Sequence, residues 1–546
     1  MTLIECVPNI SEGRNQATID AVAEVVRKVP GVFLLDVDPG MATNRTVFTF
    51  AGEPQAVEEA AFELIKKAAE LIDMRAHSGE HARQGAVDVC PFIPINDVTM
   101  EECVEISHRL GKRVGDELGI PIYLYAEAAT RPERQKLPDI RAGEYEALAE
   151  KLRQTAWTPD YGPAVFNAKA GATVIGARKF LVAYNINLNS KSVRLAKEIA
   201  FAIRESGRLN KETGGRIPGL YKHVQATGWY IPEYKRSQVT INILDIDETP
   251  VHKVFESCSE LAQKLGARVT GSEIVGMVPK KVLLEAGKYF LEKQSATTGV
   301  PESDIIQTAI LSLGLNDVHP FDPQKKIIEE QFMPETPLAS MSIKHFTDEL
   351  STNSPAPGGG SVAALAGSLS AALTSMVASL TFEKKGFEHA QAEMKSHGEK
   401  TQTLKAMLMN AVDEDTHAFN AVMKCFGMPK KTDDEKAVRQ KAIEDATKQA
   451  TLVPLNVLKT TPDLLLLAEA VVERGNPNSL SDAGVAALMA RTAAHGAYYN
   501  ILINLKGLQD KLWAEHIRKE AENIIGNVNH IAQHLEEQIK MKLSGF

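Results

Sequence analysis

The feature that most constrains the fold of this chain is a change of pattern at residues 331–341, which read QFMPETPLASM. Before this stretch, short β-branched and aromatic runs alternate with amphipathic helical stretches. After it, strand-like runs disappear and Ala-rich helical patterning takes over. A Pro-containing stretch without periodicity between two such regions is typical of a linker. The sequence therefore predicts an α+β region followed by an all-α region.

The length of 546 residues is too great for one hydrophobic core, since domains usually hold roughly 100 to 200 residues. The alternation divides into two α+β sets, residues 1–180 and 181–330, each expected to pack helices over a sheet. A linker at 331–341 and an up-and-down helical bundle at 342–546 complete the predicted organisation, with long helices broken near Gly427 and Gly475.

Local patterns predict individual elements of the α+β region. Alternating apolar residues indicate strands near Arg45 to Ala51 and near Gln238 to Ile246. A helix is expected to begin at Pro54 and another to cover Met100 to Leu118.

Composition excludes several classes of protein. Apolar residues make up 44% and charged residues 24%, as in ordinary globular proteins, and we expect the apolar runs to stop short of a membrane span. The formal charge of −9 comes without a basic stripe, which argues against a nucleic-acid partner. The amino end has no signal-peptide pattern, and the five cysteines form no C-x-x-C pair, so we expect reduced thiols and a cytoplasmic protein.

An acidic residue, Asp415, stands where an apolar one is expected. Four apolar residues share its helical face: Leu408, Val412, Phe419 and Val422. A carboxylate facing a core loses hydration, which raises its pKa and suits it to general acid/base work at neutral pH. Asp413 and Glu414 fall on other faces, where we expect them to be solvated.

The segment HSGEHARQGAVDVCPF, from His77 to Phe92, places His77, Glu80 and His81 before a predicted strand. As H-x-x-E-H it matches an inverted zinc-peptidase signature, in which both histidines must lie on one helix face. Ser78 and Gly79 are poor helix formers, which argues against that interpretation. The alternative is a polar loop with hydrogen-bonded imidazoles.

Two acidic residues, Asp36 and Asp38, end a buried-looking strand in the turn LLDVDPGMATNRT. Asp, Pro and Gly are also what a turn needs, so the motif alone is weak. A carboxylate placed near His81 would fix the tautomer of that histidine and raise its basicity.

Two segments of the helical region contain polar groups with unusual surroundings. SPAPGGGSVAALAGSLSAALTSM, from Ser354 to Met376, opens a helix of small residues with free backbone N–H groups that bind anions or carbonyl oxygens. It lacks the Lys of a phosphate-binding P-loop, whereas a sugar-kinase-like glycine loop stays open. Asn500 and Asn504, one turn apart in an apolar helix, predict either helix-to-helix hydrogen bonds or ligand contacts.

Several motifs, taken in order, resemble a known family. ECVPNISEG, LLDVDPGMATNRT, HSGEHARQGAVDVCPFIP and GATVIGARKFLVAYNINL are similar to formiminotransferases, and APGGGSVAAL, VDEDTHAF and GAYYNILINL resemble the cyclodeaminases fused to them in bifunctional members. The resemblance implies two ferredoxin-like α/β sandwich subdomains followed by the helical bundle.

The resemblance also implies site residues. The catalytic histidine corresponds to His81 and the cyclodeaminase acid to Asp415, and our candidate carboxylate beside His81 is Asp38. The folate-binding segment corresponds to Gly162, Pro163, Ala164, Val165, Phe166, Asn167, Ala168, Lys169, Ala170 and Gly171. Candidate cations for the anionic substrates are Arg45, Arg83, Lys169 and Arg178. In the bundle, Gly358, Gly359, Gly360 and Asn500 are the expected ligand contacts.

The implied activity is two successive steps of histidine degradation. The formimino group of N-formimidoyl-L-glutamate passes to tetrahydrofolate, and cyclodeamination then yields 5,10-methenyltetrahydrofolate and ammonia. Tetrahydrofolate serves as co-substrate, no metal is expected, and a bundle site between subunits favours a homo-oligomer.

Several alternatives remain open at the level of sequence. A metal-dependent hydrolase would use His77, Glu80 and His81, and a small-molecule kinase would use the glycine loop. A silent folate-binding scaffold would use neither His81 nor Asp415. In a further alternative, only one of the two active sites functions.

Overall fold

The computed structural model describes residues 2–41, 44–79, 82–210, 212–332 and 337–545. The chain forms two compact units: Met1–Val282 with Leu313–Phe332, and Leu283–Ser312 with Met333–Phe546. The first unit holds the sheets and the second is helical, so the predicted order of an α+β region before an all-α region is confirmed. The domain boundaries near residues 180, 330 and 341 stay a prediction.

A seven-stranded mixed sheet opens the first unit. Its elements are β1 (Leu3–Cys6), β2 (Asn9–Ile10), α1 (Gln16–Arg27), β3 (Val32–Gly40), β4 (Arg45–Gly52), α2 (Pro54–Leu71), β5 (Val87–Asn96), α3 (Met100–Leu118), β6 (Ile122–Ala126), α4 (Leu137–Arg141), α5 (Leu148–Lys151) and β7 (Thr173–Ala177). The strand order is β3-β4-(β1, β2)-β5-β7-β6, in which β5, β7 and β6 are parallel. Without β6 and β7, the connectivity strand-helix-strand-strand-helix-strand is ferredoxin-like.

The two faces of this sheet differ in chemistry because side chains alternate along each strand. Ile4 and Cys6 point to the core under α1, α2 and α3, together with Phe48, Phe50 and Phe92. Helix α3 begins with a capping box between Thr99 and Glu102, which satisfies two backbone N–H groups. The opposite face carries buried polar side chains, among them Glu5 and Arg45.

A second, antiparallel sheet follows in the first unit. Its elements are β8 (Val182–Leu188), α6 (Val193–Ile203), the two-stranded hairpin β9 (Arg208–Leu209) and β10 (Arg216–Ile217), β11 (Val224–Ile231), β12 (Arg236–Ile243), α7 (Val251–Lys264) and β13 (Val269–Val275). Next in the chain come α8 (Lys280–Lys293) and α9 (Glu302–Leu313), which lie mostly in the second unit, and α10 (Pro323–Lys326), which returns to the first. The order β11-β12-β8-β13 is again ferredoxin-like.

Besides most of α8 and α9, the second unit holds α11 (Ile343–Leu350), α12 (Gly359–Phe382), α13 (Gln391–Phe426), α14 (Asp433–Arg474), α15 (Leu480–Leu505) and α16 (Lys511–Ser544). Consecutive long helices are neighbours, and α12 also packs against α15. The predicted breaks near Gly427 and Gly475 are confirmed, since α13 ends at Phe426 and α14 ends at Arg474.

Two prolines lie inside the 42-residue helix α14. Each removes a backbone N–H and leaves the carbonyl four residues earlier without its helical partner. The side chain of Asn504 donates to the Ala450 carbonyl freed by Pro454, at 3.1 Å, and the Thr461 hydroxyl donates to the Leu458 carbonyl freed by Pro462, at 2.7 Å. The helix therefore continues through both prolines.

The connection between α8 and α9 packs inside the second unit. Gly299 lies against Gly398 of α13: a Cβ on Gly299 would collide with the Gly398 backbone, and one on Gly398 would stand only 3.1 Å from the Gly299 Cα. The hydroxyls of Ser375 and Ser379 on α12 each donate to the Gly299 carbonyl at 3.2 Å. Thr298, which is buried, bonds to Glu399 of α13.

Helix α12 is long and apolar enough to cross a membrane by length and composition, with a mean hydropathy of 1.6 over its most apolar window. The expectation that the apolar runs stop short of that length is therefore wrong for α12. Within the bundle, however, 67% of that window is buried, as in the central helix of a helical core.

Candidate functional site

The start of α12 forms one half of the candidate site in the bundle. Gly358 is the N-cap, and Gly359 and Gly360 are the first helical residues. A Cβ atom on Gly360 would overlap both carboxylate oxygens of Asp415, so the absence of a side chain makes room for that acid. Asn500 of α15 lies beside Gly359, with its amide nitrogen 3.3 Å from where a Cβ would stand. Four predicted residues from three segments therefore lie together here: Gly359, Gly360, Asp415 and Asn500.

Asp415 is partly buried, and its pKa is raised chiefly by that burial. The backbone N–H and the hydroxyl of Ser361 hydrogen-bond to the carboxylate and oppose the rise. The positive end of the α12 dipole also stabilises the charged carboxylate, and so it too opposes the rise in the pKa. The shift has the direction expected of a general acid/base near neutral pH.

This geometry bears on the kinase alternative. The carboxylate of Asp415 occupies the anion-binding position at the start of α12, and a phosphate placed there would meet a like charge. The glycine loop is therefore poorly suited to a nucleotide phosphate and well suited to a cationic or neutral group.

The two asparagines of α15 have different roles. Asn504 makes the helix-to-helix bond that completes α14, as one of the two sequence interpretations expected. Asn500 donates to the Gly496 carbonyl of its own helix at 2.8 Å, and its amide faces Gly359. Asn500 is thus the member of the pair that belongs to the candidate site.

The expectation that Asp413 is solvated is wrong. Its side chain is buried and accepts the backbone N–H groups of Leu338 at 2.9 Å and Ala339 at 3.0 Å. These donors come from the predicted linker, which no helical periodicity could bring next to α13. Glu414 is exposed, as expected.

In the first unit, Arg45 anchors a polar network on the sheet face opposite the helices. It lies buried at the start of β4, donates to Asn9 Oδ1 at 2.5 Å and lies 3.8 Å from the carboxylate of the buried Asp88. Arg141 also pairs with Asp88. Asp38 is exposed on β3 and pairs in register with Val47, which also pairs with Asn9, so Asp38 shares this face.

The motif that begins at His77 is only partly described. His77 Nδ1 accepts a hydrogen bond from Arg83 Nε at 3.2 Å, so Nε2 carries the proton and donates to the Asn44 carbonyl at 2.8 Å. Both ring nitrogens of His77 are therefore engaged, which disfavours it as a metal ligand. Arg83 also pairs with two glutamates, Glu144 and Glu146. Glu80 and the predicted catalytic His81 lie outside the described residues.

The predicted folate segment, residues 162–171, lies next to this motif. Gly162 and Gly171, at its two ends, have φ values of 79° and 69°, which favour glycine. The backbone at Ala170 accepts from Ala86 N at 2.8 Å, which fixes the segment beside the strand that follows His81. The ring centroids of Phe166 and Tyr145 are 5.4 Å apart, and Val165 is exposed. An aromatic surface and an open loop are suited to a planar ligand.

Two predicted cations are already partly engaged. Lys169 Nζ donates to the Glu70 carbonyl at 2.7 Å. Arg178 follows β7, is half-buried, and donates to the Lys179 carbonyl at 3.0 Å.

Sequence reasoning missed Glu5. This residue lies in β1 and is 4% exposed, and burial raises its pKa to about 7, while the cation of Arg178 lowers it by less. The ring of Tyr125 lies over Gly176 on the same sheet, and its hydroxyl oxygen accepts a hydrogen bond from Arg178. The available signal was an acidic residue between two apolar ones in a short strand, Ile4 and Cys6.

Comparison with known proteins agrees with both halves. Family models match residues 3–178 (formiminotransferase domain, N-terminal subdomain), 183–333 (formiminotransferase domain) and 342–523 (formiminotransferase-cyclodeaminase). Formimidoyltransferase-cyclodeaminase of Rattus norvegicus is 44% identical over 96% of each chain. Glutamate formimidoyltransferase of Streptococcus pyogenes is 44% identical over 53% of this chain and 93% of its own. Methenyltetrahydrofolate cyclohydrolase of Methylorubrum extorquens is 40% identical over 37% of this chain and 98% of its own. With a close match over nearly its whole length and a catalytic carboxylate candidate in place, the chain belongs to the formiminotransferase-cyclodeaminase family.

Proposed function

We propose that this protein is a bifunctional folate enzyme with two active sites. The first transfers the formimino group from N-formimidoyl-L-glutamate to tetrahydrofolate, and the second cyclodeaminates the product. The observation that carries the proposal is the meeting of Asp415, Gly360 and Asn500 at the start of α12. The full-length relatives support the pairing of the two activities in one chain.

In the first reaction, N5 of tetrahydrofolate attacks the formimino carbon, and the tetrahedral intermediate expels the amine of glutamate. N5 must lose one proton and the departing amine must gain one. We assign that transfer to His81, with Asp38 as the carboxylate that orients it and stabilises the cationic carbon. The position of Asp38 on the sheet face of Arg45 supports this role. Residues 162–171 would hold the pterin, and Arg45, Lys169 and Arg178 would face the carboxylates.

In the second reaction, N10 attacks the same carbon, and ammonia leaves to give 5,10-methenyltetrahydrofolate. Asp415 takes the proton from N10 and delivers one to the departing nitrogen. The raised pKa of Asp415 supports this exchange, because a carboxylate that binds a proton more tightly is better able to take one from N10. Gly358 and Gly359 leave the approach to the carboxylate free of side chains, and Asn500 would orient the ligand.

Neither reaction requires a metal or a redox cofactor, and tetrahydrofolate takes part as a co-substrate. The relative from Methylorubrum extorquens, which is named for methenyltetrahydrofolate chemistry, supports the role of a folate as co-substrate. The five cysteines are free thiols, which fits the reducing cytoplasm that we propose as the location.

The test supplies purified protein with tetrahydrofolate and N-formimidoyl-L-glutamate and follows methenyl-folate absorbance and ammonia. We expect product from the wild type, none from His81→Ala, and accumulation of formimino-folate in Asp415→Ala. Glu414→Gln, an exposed neighbour of Asp415, is the matched control and should keep both activities. If the wild type shows only one of the two activities, only one of its two sites is functional. No folate product from folded protein would overturn the proposal, and stoichiometric zinc would then favour a hydrolase.

We further propose that the protein is a homo-oligomer whose contact face includes α12 and α15. Both helices expose apolar side chains: Leu369, Met376, Leu380, Val485, Leu488, Tyr499 and Ile503. Helices α12 and α15 are antiparallel neighbours, since Gly359 lies beside Asn500 and Ala363 beside Gly496. The exposed parts of these seven side chains amount to on the order of 600 Å² per copy, close to the roughly 800 Å² per partner of a standard interface.

The occupant that fits this face best is a second copy of the chain, because α12 carries no charged residue and the face adjoins Asn500. Light scattering should find a dimer or larger assembly, and a Leu369→Glu, Leu488→Glu double variant should dissociate it. Leu466→Glu, which changes an equally exposed leucine on α14, is the control. A monomeric wild type, or one that binds lipid vesicles through this face, would contradict the proposal.

A further inference from the structure

Ser361 of α12 is completely buried and lies at the centre of three polar contacts. Its Oγ is 2.8 Å from the Val412 carbonyl oxygen, 3.4 Å from Asp415 Oδ2 and 3.3 Å from Thr416 Oγ1. Its backbone N–H also bonds to the Asp415 carboxylate. One residue therefore holds the proposed acid/base through both its main chain and its side chain.

The hydroxyl of Ser361 has one hydrogen and two lone pairs, so it cannot donate fully to two acceptors at once. When the hydrogen points to the Val412 carbonyl, a lone pair of Oγ faces Asp415 and can accept the proton of a carboxylic acid. When the hydroxyl turns toward Asp415, it donates to the ionised carboxylate. The Val412 carbonyl then keeps its helical partner on α13.

We propose that Ser361 is a positioning residue whose rotating hydroxyl holds Asp415 in one place in both of its protonation states. This inference rests on the proposed proton transfer by Asp415. The hydroxyl changes partners as Asp415 gains or loses its proton, and no proton moves onto or off Ser361 itself. Asp415 therefore keeps one orientation toward the ligand throughout the exchange.

The surroundings leave Ser361 as the main polar influence on Asp415. Helix α12 carries no ionisable side chain over its whole length. On α13, the carboxylate of Asp413 accepts hydrogen bonds from the backbone N–H groups of Leu338 and Ala339. Glu414 and His417 are exposed. On α15 the titratable neighbours of Asn500 are Tyr498 and Tyr499. Among the described residues, none contributes a charge to the shift in the pKa of Asp415.

The test measures the pH dependence of kcat for cyclodeamination in Ser361→Ala. A hydrogen bond to an ionised acid lowers its pKa, so loss of the hydroxyl should move the acidic limb of the profile upward by about one pH unit. It should also lower kcat roughly tenfold at neutral pH, with KM unchanged, because the misplaced group acts in the chemical step. Transferase activity should stay at the wild-type level.

The matched control is Ser368→Ala, on the same helix. Ser368 is also buried and donates to a carbonyl of α13, that of Lys405, at 3.2 Å, and within the described part of the chain it has no hydrogen bond to a carboxylate. Its acidic limb should coincide with that of the wild type. An unshifted limb in Ser361→Ala, or an equal shift in Ser368→Ala, would overturn the inference.

Asp415→Ala separates this inference from the function on which it rests. If Asp415→Ala keeps full cyclodeaminase turnover, the proton transfer by Asp415 fails and the role of Ser361 fails with it. If Asp415→Ala is inactive while Ser361→Ala keeps the wild-type profile, the role of Ser361 alone is refuted.

Discussion

The two candidate sites use glycine in opposite ways. In the bundle, Gly360 has ordinary helical geometry and matters because its missing side chain makes room for Asp415. In the first unit, Gly162 and Gly171 have positive φ and matter because they bend the backbone around the predicted folate segment. The first use creates space for one group, whereas the second shapes a loop. Substitutions that add a single methyl group can therefore distinguish the two sites.

The largest effect is expected from Gly360→Ala. The new Cβ would overlap the carboxylate of Asp415, which must then move by an ångström or more. A displacement of that size in a reacting group costs roughly 100-fold in rate. We expect cyclodeaminase kcat to fall by about that factor while transferase activity is unchanged, as measured by ammonia release and formimino-folate formation.

Gly526→Ala is the control for this prediction. Gly526 lies on α16 of the same unit, and a Cβ there would stand in open space, so the variant should be tolerated. Equal losses in the two variants would mean that the contact with Asp415 is not the cause.

A smaller effect is expected from Gly171→Ala in the transferase site. An alanine there would adopt an unfavourable positive φ and collide with the Gln84 carbonyl, next to the His77 motif. Since the folate segment should shift, we expect kcat/KM for tetrahydrofolate to fall roughly tenfold, with cyclodeaminase activity retained. Gly266→Ala has a similar φ of 77° but open space around it, and should leave both activities unchanged. A transferase that tolerates Gly171→Ala would contradict the assigned role of the segment.

Asn500 and Asn504 extend the comparison within one helix. Asn504→Ala leaves the Ala450 carbonyl unpaired, which should reduce the free energy of unfolding by about 1 to 3 kcal/mol without loss of activity at low temperature. Asn500→Ala should instead lower cyclodeaminase activity several-fold and change thermal stability little. Thermal unfolding and ammonia release measured on both variants would show whether the two roles are separate.

The effect expected at Glu5 is confined to the stability of the first unit and develops only as the pH rises. Burial raises the pKa of Glu5 from 4.5 to about 7, so the folded state binds a proton more tightly than the unfolded state. The stability is full below pH 4.5 and is lost as the pH rises through 7. Glu5→Gln should therefore raise the free energy of unfolding at pH 8, by up to about 3 kcal/mol, and leave it unchanged near pH 4.5. A variant of the exposed Glu24 should show no such difference between the two pH values.

Much of the fold could be predicted because local pattern and tertiary position agree. Helix α3 has the predicted bounds, α2 begins at Pro54, and β4 differs from its prediction by one residue at its end. The strand predicted from Gln238 to Ile246 instead ends at Ile243, because β12 stops where its pairing with β8 and β11 stops. Strand ends depend on partners that are distant in sequence, which periodicity does not report.

The bundle site was predictable for a similar reason. Asp415 interrupts an apolar stripe, and that interruption is visible within its own helix. Asp413 was misjudged because its partners, Leu338 and Ala339, lie about 75 residues away in a segment without periodicity. Glu5 escaped notice because its burial comes from the whole sheet face. The sequence left the partner of Asn504 open because that partner is a carbonyl freed by Pro454 on another helix.

The packing of Gly299 against Gly398 has a practical consequence for dissecting the gene. Residues 283–312 match a formiminotransferase model, yet they pack in the same unit as the bundle. A fragment that starts at the predicted linker would leave Ser375, Ser379 and Glu399 without the backbone and threonine partners that they have in the intact chain. An autonomous deaminase fragment is therefore best begun before α8, near residue 280, and the shorter fragment should express with lower solubility.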